Sequence, residues 1–312
     1  MKHSLIRKGL VRPQLSELVI NWHITEACNY NCRYCYAHWD GNARELIHDI
    51  SGTRQMLENL WQFFHPENVA NPLQKQIDWR GIRLNLAGGE PLLYSERLLQ
   101  TLSDARNIGF TASVITNGSL LSRDFAQLIA PKLSMLGVSL DSAVSKTNRQ
   151  IGRQSRQGKL LDMDALEDAI KAARLINPKL QIKLNTVINA INCDEDLSAG
   201  IRRLAPQRWK VLRMLPVVTD ELNVSDEDFQ RFVARHRDLG DIMCIEDNTD
   251  MVESYVMIDP LGRFFQNALG QPNYRYSPPI PKVGVAQAFA KVGIDPSKFC
   301  SRYMVPVARG LP

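Results

Sequence analysis

No apolar run in this sequence approaches the roughly 20 residues that a bilayer-spanning helix needs, so a membrane-spanning chain is not expected. The opening residues, Met1-Lys2-His3-Ser4-Leu5-Ile6-Arg7-Lys8, carry positive charge but lack the long apolar region of a secretory signal, and a cytoplasmic setting is expected. Lysine and arginine exceed aspartate and glutamate by only 38 to 33, a formal net charge of +5. That excess suits an anionic ligand, yet no long basic run marks a groove for nucleic acid, and no stable nucleic-acid binding is expected. Low-complexity tracts, repeats of fixed period and Ser/Gly linkers are missing too. What remains is an ordinary globular composition: 312 residues, 44% hydrophobic, enough for one large domain or two small ones with a sizeable core.

Cysteine is scarce, and its placement is uneven. Of six residues, Cys193, Cys244 and Cys300 stand far apart and read as buried small hydrophobes in a reducing compartment. The other three fall in Glu26-Ala27-Cys28-Asn29-Tyr30-Asn31-Cys32-Arg33-Tyr34-Cys35-Tyr36, at spacing C-x3-C-x2-C. Thiols this close share a metal, share a cluster, or are merely three free thiols. A four-ligand zinc site would need a nearby C-x2-C or His pair, and none follows. Three thiolates from one loop would leave one iron of a four-iron cubane without a protein ligand, and an open metal position is where chemistry can occur.

Short β-rich runs alternate with helical patterns. Strands are expected at 18–25, 82–87, 111–116, 135–140, 181–188 and 209–215. Between them, Leu166, Ile170 and Ala173 share one helix face, as do Phe229, Phe232, Val233 and His236 on a later helix that Ser225 and Asp228 open in the manner of a capping box. Repeated βα order argues for a parallel sheet, open or curled into a full or partial barrel. Helices on both faces should make such strands almost continuously hydrophobic, yet polar positions recur at period two. Lys183 and Asn185 oppose Ile182, Leu184 and Ile188; Arg83 and Asn85 oppose Ile82, Leu84 and Leu86. Arg208 and Lys210 oppose Trp209 and Val211, while Asn21, His23 and Thr25 oppose Ile20, Trp22 and Ile24. A partial barrel with a polar lumen explains the pattern; an antiparallel sheet with one wet face would alternate equally well, but the intervening helices oppose it. Cations converging on such a lumen call for an anion. Gly270 to Pro281, with four prolines, reads as an irregular loop before a short helical tail.

With Cys28, Cys32 and Cys35 just after the first strand, the chain resembles the radical S-adenosylmethionine superfamily. That resemblance implies a [4Fe-4S] cluster on the three cysteines, with S-adenosylmethionine chelated at the free iron and cleaved to a 5′-deoxyadenosyl radical. Tyr34 takes the place of the aromatic residue before the third cysteine. Ala87-Gly88-Gly89-Glu90-Pro91 resembles the GGEP motif that receives the amino group of the cofactor, and Asn117 lies in a segment similar to the ribose-contacting TNG. Ser139 and Asp141 end the fourth strand, and Arg153 is implied as the partner of the methionine carboxylate.

Runs around Asn21-Trp22-His23-Ile24-Thr25, Lys183 to Asn189, Arg208 to Val211, Ser254 to Asp259 and Val283 to Val285 resemble the viperin family in the same order, over residues 17–303. The implied fold is α/β, a partial (βα)6 TIM-type barrel at 17–220 with a lead at 1–16 and a C-terminal extension at 221–312 that closes the nucleotide site. The implied reaction converts a nucleoside triphosphate to its 3′-deoxy-3′,4′-didehydro analogue, a chain terminator for viral polymerases, by abstraction of the ribose C4′ hydrogen and loss of the 3′ hydroxyl as water. Lys183, Lys210, Arg302 and Asn185 would hold the triphosphate, with Arg83 where relatives have lysine and Arg208 facing substrate or a neighbouring acid. Tyr255 matches a tyrosine that returns a hydrogen atom or assists that step. A low-potential flavodoxin or ferredoxin is the implied electron donor.

The chain also departs from animal members. Ala87 stands for a serine, a helical region is added around Arg54 to Phe64, and neither the N-terminal amphipathic membrane helix nor the tryptophan-terminated tail is expected. The other readings are a radical enzyme acting on a peptide, and a cluster-binding scaffold or sensor.

Overall fold

The computed structural model describes residues 12–39, 44–267 and 273–303. The expectations for Met1 to Lys8, Gly270 to Pro272 and Arg309 to Pro312 concern positions outside the described residues. Strands β1 (Gln14–His23), β2 (Asp78–Ala87), β3 (Thr111–Thr116), β4 (Met135–Ser139), β5 (Gln181–Ile188), β6 (Arg208–Arg213), β7 (Met243–Glu246) and β8 (Val256–Ile258) form one sheet, ordered β7-β6-β5-β4-β3-β2-β1-β8. Every pairing in it is parallel. Its outer side is covered by α1 (Ile50–Phe64), α2 (Ser95–Ile108), α3 (Arg123–Ile129), α5 (Met163–Ile176), α6 (Ser198–Leu204) and α7 (Asp226–Arg235), while α4 (Ser145–Ile151) packs its Ile151 against Tyr34, Met214 and Leu222. After α8 (Asn248–Met251) and β8 comes a hairpin of β9 (Phe265–Asn267) and β10 (Tyr274–Tyr276), then α9 (Ile280–Val283), α10 (Val285–Phe289) and α11 (Pro296–Tyr303).

The expected parallel α/β partial barrel is present. Strands β3 and β5 have the expected bounds; β1 and β2 begin earlier, and β6 stops at Arg213. Two further strands, β7 and β8, extend the six at opposite edges. These edges are not paired by backbone among the described residues, but the side chain of Tyr255, just before β8, reaches Glu246 at the end of β7. The sheet is therefore curled into a partial barrel. The irregular loop expected at 270–281 is corrected in part: Tyr274–Tyr276 pairs antiparallel with Phe265–Asn267, its tyrosines packing on Phe265.

The core lies between sheet and helices. Ile20, Trp22, Ile82, Leu84, Leu86, Ile182, Leu184, Ile188, Trp209 and Val211 are buried on the outer face of the strands, opposite the polar positions. The helical region expected around Arg54 to Phe64 is α1, started by Asp49, whose carboxylate accepts from Gly52 N, and it buries Met56, Leu57, Leu60 and Phe64. Each such side chain contributes about 1.5–3 kcal/mol when fully buried. On α5, Leu166, Ile170 and Ala173 are buried as expected. At α7, Ser225 accepts from Asp228 N, but its own hydroxyl donates to the Asp228 carboxylate, so the shorter side chain completes only half of a capping box. No helix among the described residues is long and apolar enough to cross a membrane.

Candidate functional site

The cysteine loop leaves the C-terminal end of β1 and is held by backbone contacts from two sides. Gly89 N donates to Thr25 O at 2.7 Å and Glu90 N to Ala27 O at 2.8 Å, while Arg33 N donates to Ile151 O at 2.9 Å and Asn31 N to Gly152 O at 3.3 Å. These approaches leave no room for side chains: a Cβ on Gly89 would sit 2.2 Å from Ala27 O, and one on Gly152, at φ +86°, 2.1 Å from Asn31 O. The glycines of the Gly88-Gly89 turn are thus explained by the loop they pack on. Of the expected Asn21, His23, Thr25 face, Asn21 and His23 line the cavity, whereas Thr25 lies beyond the end of β1 at His23 and its hydroxyl donates to Glu45 at 3.0 Å.

Glu90 is fully buried, and its carboxylate accepts from Leu92 N, the Thr116 hydroxyl and Asn117 N. Burial raises its pKa against these donors. Asn117, so held, donates to Asn29 at 2.8 Å and to Cys28 Sγ at 3.8 Å. Arg153, also buried, pairs with Asp141 at 3.0 Å and donates to the Ser139 carbonyl at 2.7 Å. Asp141 accepts in addition from the Tyr34 hydroxyl and from Val187 N. The motif residues Tyr34, Gly88, Gly89, Glu90, Asn117, Ser139 and Arg153 therefore assemble around the cysteine loop, with Asp141 as an acidic centre whose pairing the sequence did not disclose.

Burial pushes all three thiols up, Cys32 to about 12, while the Arg153 cation pulls each of them down. Cys32 is also raised by Cys35 and Cys28, so the sulfurs lie within each other's electrostatic reach. Among the described residues no three His, Cys, Asp or Glu side chains are grouped to hold one metal ion. A cubane places its three thiolates on three irons and does not require that convergence; its charge would ionise thiols that burial keeps neutral. The donor set fits such a group.

The lumen forms a cavity with about 920 Å³ of space not filled by atoms, open to solvent. Tyr34 lines it near the cysteine loop, and Lys183, Asn185, Lys210 and Tyr255 line it elsewhere, together with Asn21, His23, Asn85 and Ala87. Asn85 donates to Asn21 at 2.9 Å and accepts from Ser113 at 2.7 Å, a polar ladder across β1, β2 and β3. Lys183 is held well below the usual lysine range by burial and by Lys210 and Arg208 beside it. The side-chain Oδ1 of Asn185, two residues along the same face, is buried without a partner.

The other cations are paired. Lys210 and Arg302 both reach Glu246, Arg83 meets Glu17 at 3.5 Å, and Arg208 donates to Cys244 Sγ and to the Arg302 carbonyl at 2.8 Å. Arg302, from α11, also donates to the Ser254 hydroxyl at 2.7 Å, and its guanidinium lies 3.9 Å from the centre of the Tyr255 ring. The Tyr255 hydroxyl donates to Glu246 and accepts from Lys210 at 2.9 Å and from Arg302. Glu246 is the residue that sequence reasoning missed: β7 is four residues long, and period-two reasoning on so short a run assigns no face.

A curled parallel sheet with a three-cysteine loop after its first strand defines a radical S-adenosylmethionine protein, and the family model of the Radical SAM superfamily matches residues 22–188. The chain is 42% identical over 287 residues, 92% of its length and 95% of its relative's, to an S-adenosylmethionine-dependent nucleotide dehydratase of Psychrobacter lutiphocae. It is 40% identical to one of Pseudoalteromonas ulvae, covering 93% of this chain and 94% of that protein, and 28% identical to the RSAD2 protein of Danio rerio, covering 95% and 79%. Within the radical superfamily it belongs to the family of S-adenosylmethionine-dependent nucleotide dehydratases, the viperins. Among solved structures, the enzyme anSMEcpe with bound AdoMet shares the fold at TM-score 0.62 and 14% identity, covering 92% of this chain and 80% of that one.

Proposed function

We propose that the protein dehydrates a nucleoside triphosphate to its 3′-deoxy-3′,4′-didehydro analogue through abstraction of the ribose C4′ hydrogen. Membership of the dehydratase family supports this reading. The observation that carries it is the cavity itself, which joins the surroundings of the cysteine loop at Tyr34 to the buried Lys183 and the cation cluster around Lys210.

Cys28, Cys32 and Cys35 would hold the [4Fe-4S] cluster. When bound, the cluster and S-adenosylmethionine supply the 5′-deoxyadenosyl radical. Tyr34, Gly88, Gly89, Glu90, Asn117, Ser139 and Arg153 would surround S-adenosylmethionine, Glu90 acting through the Asn117 segment that its carboxylate holds. Lys183, Lys210, Arg302, Arg208, Arg83 and Asn185 would bind the triphosphate, about four negative charges offsetting cations that burial otherwise penalises. Tyr255 would serve the hydrogen return. The extension at 221–312, on this reading, closes the nucleotide end by delivering Glu246, Tyr255 and Arg302. A low-potential flavodoxin or ferredoxin in the cytoplasm would supply electrons. Fold likeness to anSMEcpe, whose structures include a peptide complex, extends to the fold alone at 13% identity and gives a peptide substrate no further support.

The test is anaerobic reconstitution with reductant, S-adenosylmethionine and each of CTP, GTP, UTP and ATP. Formation of 5′-deoxyadenosine together with a dehydrated nucleotide is expected; neither product with any of the four would overturn the proposal.

A further inference from the structure

Glu246 is 3% exposed and sits where four separate pieces of chain meet: Lys210 comes from β6, Glu246 from β7, Tyr255 from the turn before β8, and Arg302 from α11. Strands β7 and β8 share no backbone hydrogen bonds, so these side-chain contacts join the two edges of the curled sheet. One carboxylate oxygen meets Lys210; the other meets Arg302 and receives the Tyr255 hydroxyl hydrogen. We propose that Glu246 is a positioning residue of the nucleotide end, fixing Lys210, Arg302 and Tyr255 relative to one another before substrate arrives and keeping Lys210 charged.

The proposal rests on the nucleotide reading of the cavity. Remove the carboxylate, and Lys210 faces Arg302 and Arg208, while its like-charged neighbour Lys183 also feels Arg208 and Arg83. Burial pushes Lys210 down to about 8, with Glu246 opposing the fall and Arg302 and Arg208 adding to it. Burial raises Glu246, but Lys210 and Arg302 overcome it and hold the group at about 2. A carboxylate ionised throughout the working pH range has no proton to give, which assigns it to orientation and charge balance. With its hydrogen turned toward Glu246, the Tyr255 ring is held against the cations, 5.1 Å from Lys210 Nζ and 3.9 Å from the Arg302 guanidinium.

Glu246→Gln keeps the shape and an acceptor for Tyr255 but removes the charge. In the nucleotide-free full chain, the titration midpoint of Lys210, followed by side-chain NMR and assigned with Lys210→Arg, should fall by at least one pH unit. Binding of CTP, GTP, UTP and ATP without S-adenosylmethionine should lose severalfold more affinity between pH 6.5 and 8.5 in E246Q than in the wild type. Adding Lys210→Arg, a cation that does not titrate in this range, should restore the flatter profile. An unchanged Lys210 midpoint together with an unchanged pH profile would overturn the proposal. If E246Q does not fold, the reciprocal measurement decides: in Lys210→Met the Glu246 carboxyl midpoint should rise by at least one unit, and no rise overturns it. Wild-type protein that binds no nucleoside triphosphate would remove the nucleotide reading, and the Lys210 midpoint would still decide independently whether Glu246 holds that lysine charged.

Discussion

On the proposed reading, two residues separate the work of the cavity into binding and chemistry. Lys183 lines the lumen on β5 among other cations, and burial and its neighbours disfavour its charge. An arriving triphosphate reverses that penalty, so Lys183→Ala should weaken nucleotide binding at least tenfold, about 1.4 kcal/mol, and leave S-adenosylmethionine cleavage much less affected. Equal losses in equilibrium nucleotide binding and in 5′-deoxyadenosine yield would make Lys183 a structural residue. Tyr255 contributes differently, because its hydroxyl is the group that Lys210, Arg302 and Glu246 all contact. Tyr255→Phe should retain most 5′-deoxyadenosine formation while product per 5′-deoxyadenosine drops severalfold; a constant ratio would take the hydroxyl out of the reaction.

The elements show what a sequence can and cannot display. Strands β3 and β5 are legible to the residue because alternation runs through their whole length between clear turns. Early β1 and β2 are not, since Gln14, Glu17, Asp78 and Gly81 interrupt the apolar pattern even though the pairing keeps one register there. β7 and β8, four and three residues long, fall below the length at which periodicity means anything, and with β7 went Glu246. The cysteine spacing and the cations of β5 and β6 were readable because the motif is local and the period is regular. The pairing of Asp141 with Arg153 and Tyr34 was not, because Tyr34 and Asp141 stand 107 positions apart.

The same distinction gives the α4 C-terminus a test. Gly152 ends that helix in the left-handed region, and its absent Cβ lets the cysteine loop pack on it. Gly152→Ala should displace the Asn31 to Arg33 segment, cost ~1 kcal/mol in backbone strain alone, and lower the iron bound per chain after reconstitution. Wild-type iron content with an unchanged Tm would show that the loop tolerates the shift.

At the scale of the molecule, the curled sheet encloses charge at a cost that a bound anion would offset. The folded-state pKa of Lys210 is about 8 and that of Lys183 lies well below 10.5, so between these values and 10.5 the unfolded chain holds more protons than the folded one. The sign follows directly: these lysines subtract stability at neutral pH, and the deficit shrinks as pH rises from about 8 toward 10.5. On the proposed reading, a triphosphate in the lumen would raise both pKa values by placing negative charge beside them, so binding would draw protons from solution. Calorimetry of nucleotide binding at about pH 8, repeated in buffers of different ionisation enthalpy, should report net proton uptake on binding. At a hundredfold excess over Kd the ligand should add about 2.7 kcal/mol, seen as a rise in Tm of about 5 °C. An observed enthalpy independent of the buffer would mean that Lys183 and Lys210 are already charged in the empty cavity, and that burial in this barrel does not oppose their ionisation.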